Sequence, residues 1–70
     1  MKYDKVVLAG GNGYLGRVLQ DYYKELAREV IVLSRKPAKS YKNVKTVVWD
    51  ASSVGDWVEY LHNADIVINL

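Results

Sequence analysis

This sequence predicts an α/β domain built on a parallel sheet, and three features carry that expectation. Val6-Val7-Leu8-Ala9 and Val30-Ile31-Val32-Leu33 are short apolar runs without polar alternation, as in strands covered on both faces. The stretch between them has apolar residues at helical spacing. A glycine-rich turn, Gly10-Gly11-Asn12-Gly13-Tyr14-Leu15-Gly16, joins the first run to that stretch. Strand, helix and strand in this order call for a parallel βαβ unit with a right-handed crossover.

The first strand is expected over residues 5–9. The glycine turn after it aims the first backbone N–H groups of the next helix at one point, where they have no intrahelical partner and the helix dipole adds positive charge. A diphosphate fits such a point when no side chain stands in its way. Gly10 then allows the tight turn, Gly13 lets phosphates approach the backbone, and Gly16 lets the helix pack closely on the strand. Asn12-Gly13 alone is also a hairpin signal, but a hairpin needs an alternating strand after it. The apolar residues beyond the turn are instead Tyr14, Leu15, Val18, Leu19, Tyr22, Tyr23 and Leu26, which is helical spacing. No Gly-Lys-Ser/Thr occurs there, which disfavours a nucleoside-triphosphate loop.

The helix is expected from Tyr14 to about Ala27. Its stripe of Leu15, Val18, Leu19, Tyr22 and Leu26 should lie on the sheet, with Arg17, Gln20, Asp21, Lys24, Glu25 and Arg28 outward. The second strand is Val30–Leu33. Residues 34–43 are polar and basic, and Pro37 discourages helix at Lys36, so the connection to a third strand at Val44–Trp49 is short. Ser53 is a candidate cap for a helix with Val54, Trp57, Val58 and Leu61 at helical spacing. The fourth strand is Ile66–Leu70. The expected order is 3-2-1-4, with a ligand crevice at the carboxyl ends of strands one and four.

The bulk composition suits a small globular domain: 50% of the residues are hydrophobic and 26% charged. A chain of 70 residues buries only about 60% of its unfolded surface. The net charge of +2 and the scattered basic residues give no reason to expect nucleic acid. The absence of cysteine excludes disulfides and thiolate metal sites, and no apolar run approaches a membrane span. The N-terminus has no signal-peptide apolar core, so a cytoplasmic protein is expected. The chain stops at Ile66-Val67-Ile68-Asn69-Leu70, inside an apolar run. Residues 1–70 are therefore expected to be the truncated N-terminal portion of a dinucleotide-binding domain.

The tip of the second strand is where such a domain reads the adenosine ribose, through an acid about twenty residues beyond the glycines. Here no acid occurs from Val30 to Trp49, and Ser34-Arg35-Lys36 stands in that place. Ser34 can donate to phosphate oxygens, Arg35 can fork onto a 2′-phosphate and stack on adenine, and Lys36 adds charge. These residues favour NADP over NAD; the alternative is a basic loop that only solubilises. Asp50, directly after the third strand, either accepts from the adenine amine or caps the loop, and the Ala51 amide is an equal candidate. Asn69 and Leu70 are placed to face the central part of the cofactor.

Together these residues carry a family likeness. Ala9 to Gly16 resembles the TGGxGFIG loop of extended and atypical short-chain dehydrogenase/reductases, with Ala9 where the family has Thr. Val32-Leu33-Ser34-Arg35 is similar to the VLSR segment of the sugar-nucleotide epimerase-like branch. Trp49-Asp50, Asp56-Trp57 and Ala64–Leu70 resemble that branch's third strand, next helix and fourth strand. The resemblance implies a Rossmann domain that binds NADP, in an oxidoreductase or epimerase acting on a carbonyl or alcohol, often a nucleotide sugar. It also implies a small-molecule substrate held by a part of the fold beyond Leu70, and leaves a second copy of the chain open as a partner. Atypical relatives that bind NADP as a redox signal without chemistry are the alternative.

The resemblance transfers no catalytic residue. The family's Ser or Thr and its Tyr-x-x-x-Lys pair lie on later elements. Tyr41-Lys42-Asn43-Val44-Lys45 has that spacing but falls in a loop entering a strand, where Tyr and Lys do not stack as on a helix. His62, the only histidine, reads as a surface residue.

Overall fold

The computed structural model describes residues 1–10, 13–49 and 58–70. Its elements run β1 (Tyr3–Ala9), α1 (Tyr14–Tyr23), β2 (Ala27–Ser34), β3 (Val44–Val48), α2 (Val58–Leu61) and β4 (Ile66–Asn69). The four strands form one sheet in the order β3-β2-β1-β4, and every pairing is parallel. This is a Rossmann-type arrangement, as the alternation of strand and helix signals predicts. Among the described residues, no helix is long and apolar enough to cross a membrane.

The unbroken apolar runs have a direct physical cause. Successive side chains of a strand point to opposite faces, and here both faces are covered. Val6, Leu8, Val30, Val32 and Val44 build a core on one face, against which Leu19 and Tyr23 of α1 pack. Val7, Ala9, Ile31 and Leu33 build the other, packed by Tyr60 and Leu61 of α2 with Trp49 and Val47. β4 is thinner: Ile66 and Ile68 are half-buried, while Val67 and Asn69 are exposed.

Three expectations need correction. The first helix ends at Tyr23, not near Ala27, which already belongs to β2. Asn43 explains the early stop: its side-chain amide donates to the carbonyls of Lys24 and Ala27 at 2.9 and 2.8 Å. These bonds hold the chain in a turn that feeds straight into the strand.

The buried face of α1 is also rotated from the expected one. Gly16 and Gln20 are its buried residues, whereas Leu15, Val18 and Tyr22 are exposed by 58%, 46% and 58%. Gln20, expected outward, is only 5% exposed, because the Tyr41 hydroxyl donates to its Oε1 at 3.4 Å. A buried amide with such a partner avoids the desolvation cost that favours polar residues outside. Finally, β2 is longer than Val30–Leu33 at both ends, reaching back to pair Ala27 with Tyr3. The proposed cap Ser53, with Val54 and Trp57, lies outside the described residues. α2 closes at Asn63, whose φ of 63° is the left-handed turn common after helices.

Candidate functional site at the carboxyl ends of the strands

The tips of all four strands are tied together by backbone hydrogen bonds just beyond the ladders. Leu70 donates to the Ala9 carbonyl at 2.9 Å, Gly10 to Leu33 at 2.7 Å, and Trp49 to Ser34 at 2.9 Å. This rim borders an open cleft of about 740 Å³, within the range of small-molecule and cofactor sites. Its described lining comes from Ala9, Gly10 and Gly13, Arg17 of α1, residues 34–38, Trp49, Asn69 and Leu70.

The two described glycines of the turn serve different needs. Gly10 has φ +81°, and a Cβ there would stand 3.4 Å from the Leu70 carbonyl oxygen. The left-handed backbone asks for glycine, while the distance to Leu70 is one that an ordinary side chain could keep. Gly13 has φ −79° and ψ −175°, a conformation open to any residue. Chain neighbours aside, a Cβ on it would meet no atom of the described residues within 4 Å. The backbone and its packing therefore give no reason for glycine at 13; a side chain there would occupy the cleft.

Gly13 is also the N-cap of α1. It makes no side-chain cap bond, and the first turn holds no acidic residue. The first backbone bond of the helix runs from the Arg17 N–H to the Gly13 carbonyl at 3.0 Å, so the N–H groups of the first turn precede the helical ladder. Amides, dipole and open space at Gly13 together suit an anion.

At the tip of β2, Ser34 is only 6% exposed, and its Oγ accepts the Lys36 N–H at 3.2 Å. That bond turns the chain so that Arg35 and Lys36 leave the sheet at the cleft edge. Among the described residues, the ion pairs are Lys24–Asp21 and Arg28–Asp4; neither takes Arg35 or Lys36. No carboxylate occurs among the described lining residues.

The structure thus brings Gly10, Gly13, Ser34, Arg35, Lys36, Asn69 and Leu70 to one cleft. Gly16 is buried in α1 instead. The side chains of Tyr14 and Leu15 are exposed, and neither residue lines the cleft. Gly11, Asn12, Asp50 and Ala51 lie outside the described residues. Sequence reasoning missed Ala9, Arg17, Pro37, Ala38 and Trp49 as lining residues. Arg17 had a legible signal: it stands four residues after Gly13, hence on the same side of the helix.

The Tyr41-x-x-x-Lys45 spacing makes no pair. The Tyr41 hydroxyl is bonded to Gln20 of α1, and the Lys45 ammonium donates to the Tyr60 hydroxyl of α2 at 3.3 Å. The two helices pack on opposite faces of the sheet, so the two side chains point apart. His62 is exposed, as expected.

Comparison with known proteins agrees with this architecture. No curated protein matches the chain. Uronate dehydrogenase from Agrobacterium tumefaciens superposes with a TM-score of 0.84 at 20% identity, over 100% of this chain and 27% of that one. A mutated uronate dehydrogenase gives 0.81 at 17%, over 97% and 25%. A tyrosine-to-alanine variant of the Agrobacterium tumefaciens enzyme, complexed with NAD, gives 0.81 at 19%, over 96% and 26%. These likenesses are of fold, and the chain spans about a quarter of each neighbour's length. The model of the NAD dependent epimerase/dehydratase family matches residues 6–70. Sheet order, glycine turn and family match converge: the chain belongs to the NAD dependent epimerase/dehydratase family.

Proposed function

We propose that residues 1–70 are the N-terminal, cofactor-binding portion of an NADP-dependent oxidoreductase or nucleotide-sugar epimerase-like enzyme of the cytoplasm. The cofactor diphosphate lies against the amides at the start of α1, and its adenosine ribose lies at the tip of β2. The observation that carries this is Gly13, with an unstrained φ of −79° and, chain neighbours aside, no atom of the described residues within 4 Å of a Cβ built on it. A side chain is excluded there by a ligand's need for space. When bound, the nicotinamide supplies hydride transfer.

This chain's own part is to bind and orient. Gly10 makes the left-handed turn out of β1, Gly13 keeps the approach clear, and the first-turn amides meet negative charge. Arg35 and Lys36 supply the cations that a 2′-phosphate needs. The absence of an acid from Val30 to Trp49 removes the group that would repel it. Catalytic proton transfer is assigned to elements beyond Leu70, which also hold the substrate. Calorimetric titration of NADP and NAD against the protein tests the reading. Binding of both, with NADP tighter, is the expected result; no binding of either overturns it.

A further inference from the structure

We infer that Arg17 is a specificity residue for this cofactor site: with Arg35 and Lys36 it grips a phosphate monoester on the adenosine ribose. The inference rests on the dinucleotide reading above and names a residue that the β2 tip alone does not supply.

Three observations point to Arg17. It lines the same cleft as Arg35 and Lys36 although it comes from α1 and not from the β2 tip. The carboxylate one helical turn on, Asp21, is engaged elsewhere: its Oδ1 pairs with Lys24 Nζ at 3.0 Å. The other ion pair among the described residues, Arg28–Asp4, does not involve Arg17 either. Arg17, Arg35 and Lys36 thus line one opening, and its described lining has no acid; three like charges on one opening favour an anion.

The placement of Arg17 on α1 decides which anion. Residues three and seven positions on share its side of the helix. These are Gln20, which accepts from the Tyr41 hydroxyl, and Lys24, whose ammonium lies 5.9 Å from the Tyr41 ring centre. Tyr41 belongs to the connection that leaves the β2 tip after Arg35 and Lys36. Tyr41 bridges Val44 at the start of β3, so this side of α1 is turned towards β2 and β3 rather than towards β4, which lies across β1. A cation here faces the ribose end, while the diphosphate has the amides of the first turn. A guanidinium suits the role because its planar fork takes two phosphate oxygens at once.

The test is a titration of wild-type protein, Arg17→Ala and Arg17→Lys with NADP, NAD, adenosine 2′,5′-bisphosphate and adenosine 5′-monophosphate. Loss of a charge-assisted contact predicts that Arg17→Ala weakens NADP and the bisphosphate by about ten- to a hundredfold. NAD and the monophosphate should bind as before, which also shows that the variant is folded. Arg17→Lys should recover part of the loss. Equal weakening of NADP and NAD would place Arg17 on the diphosphate and overturn the inference, as would an unchanged NADP affinity. Wild-type protein that binds NAD more tightly than NADP would instead overturn the NADP reading itself, and this inference with it.

Discussion

The Gly10 N–H donates to the Leu33 carbonyl at 2.7 Å, one step beyond the last paired residues of β1 and β2, Ala9 and Leu33. The turn that leaves β1 is thereby pinned to the strand whose tip carries Ser34, Arg35 and Lys36. One bond fixes the distance between the helix start and the basic tip, the two places where the cofactor is proposed to be held.

Gly10→Ala tests the backbone half of this arrangement. Its φ of +81° predicts a loss of about 1–3 kcal/mol. Urea unfolding should show a lower midpoint with an unchanged slope.

Gly13→Val tests the other half and should separate binding from stability. The open space around a Cβ at this position predicts an unfolding midpoint close to wild type. Dinucleotide affinity should nevertheless fall below detection in calorimetry. Equal affinity in the variant would mean that no ligand approaches this part of the backbone.

Arg35→Asp tests the cofactor preference. A carboxylate at the β2 tip accepts from ribose hydroxyls and repels a 2′-phosphate, so the ratio of NADP to NAD affinity should fall by tenfold or more, since charged contacts contribute about 1.5–3 kcal/mol. A ratio that does not move would show that the ribose is read elsewhere.

Asn43→Ala removes the donors to Lys24 and Ala27 and leaves two carbonyls of the α1–β2 turn short of a partner. The expected cost is about 1–3 kcal/mol, read as a lower unfolding midpoint. Asn43→Asp should do no better, because a carboxylate has no hydrogen to give.

The sheet was legible because its strands are covered on both sides, which leaves no room for polar residues in Val6–Ala9 or Val30–Leu33. The order of strands followed from that pattern and from the position of the glycine turn. The face of α1 was not legible, since it depends on contacts distant in sequence. Gln20 turns inward for the Tyr41 hydroxyl, and Asn43 ends the helix from beyond the next strand. Periodicity counts apolar residues on one helix and has no access to either partner. Leu15, Val18 and Tyr22 therefore looked like core and are exposed. The cleft was legible where glycines and a basic strand tip mark it. Arg17 was hidden among the surface charges of α1, although its spacing from Gly13 places it beside the opening.

The central claim is that the amides at the start of α1 receive the cofactor's diphosphate, and backbone amide NMR during a titration with NADP observes them directly. The largest shifts should fall on Gly13, Tyr14, Leu15 and Gly16, with a second group at Ser34 to Lys36. Saturable binding that leaves the four amides at 13–16 unmoved, with its shifts elsewhere on the molecule, would contradict the account.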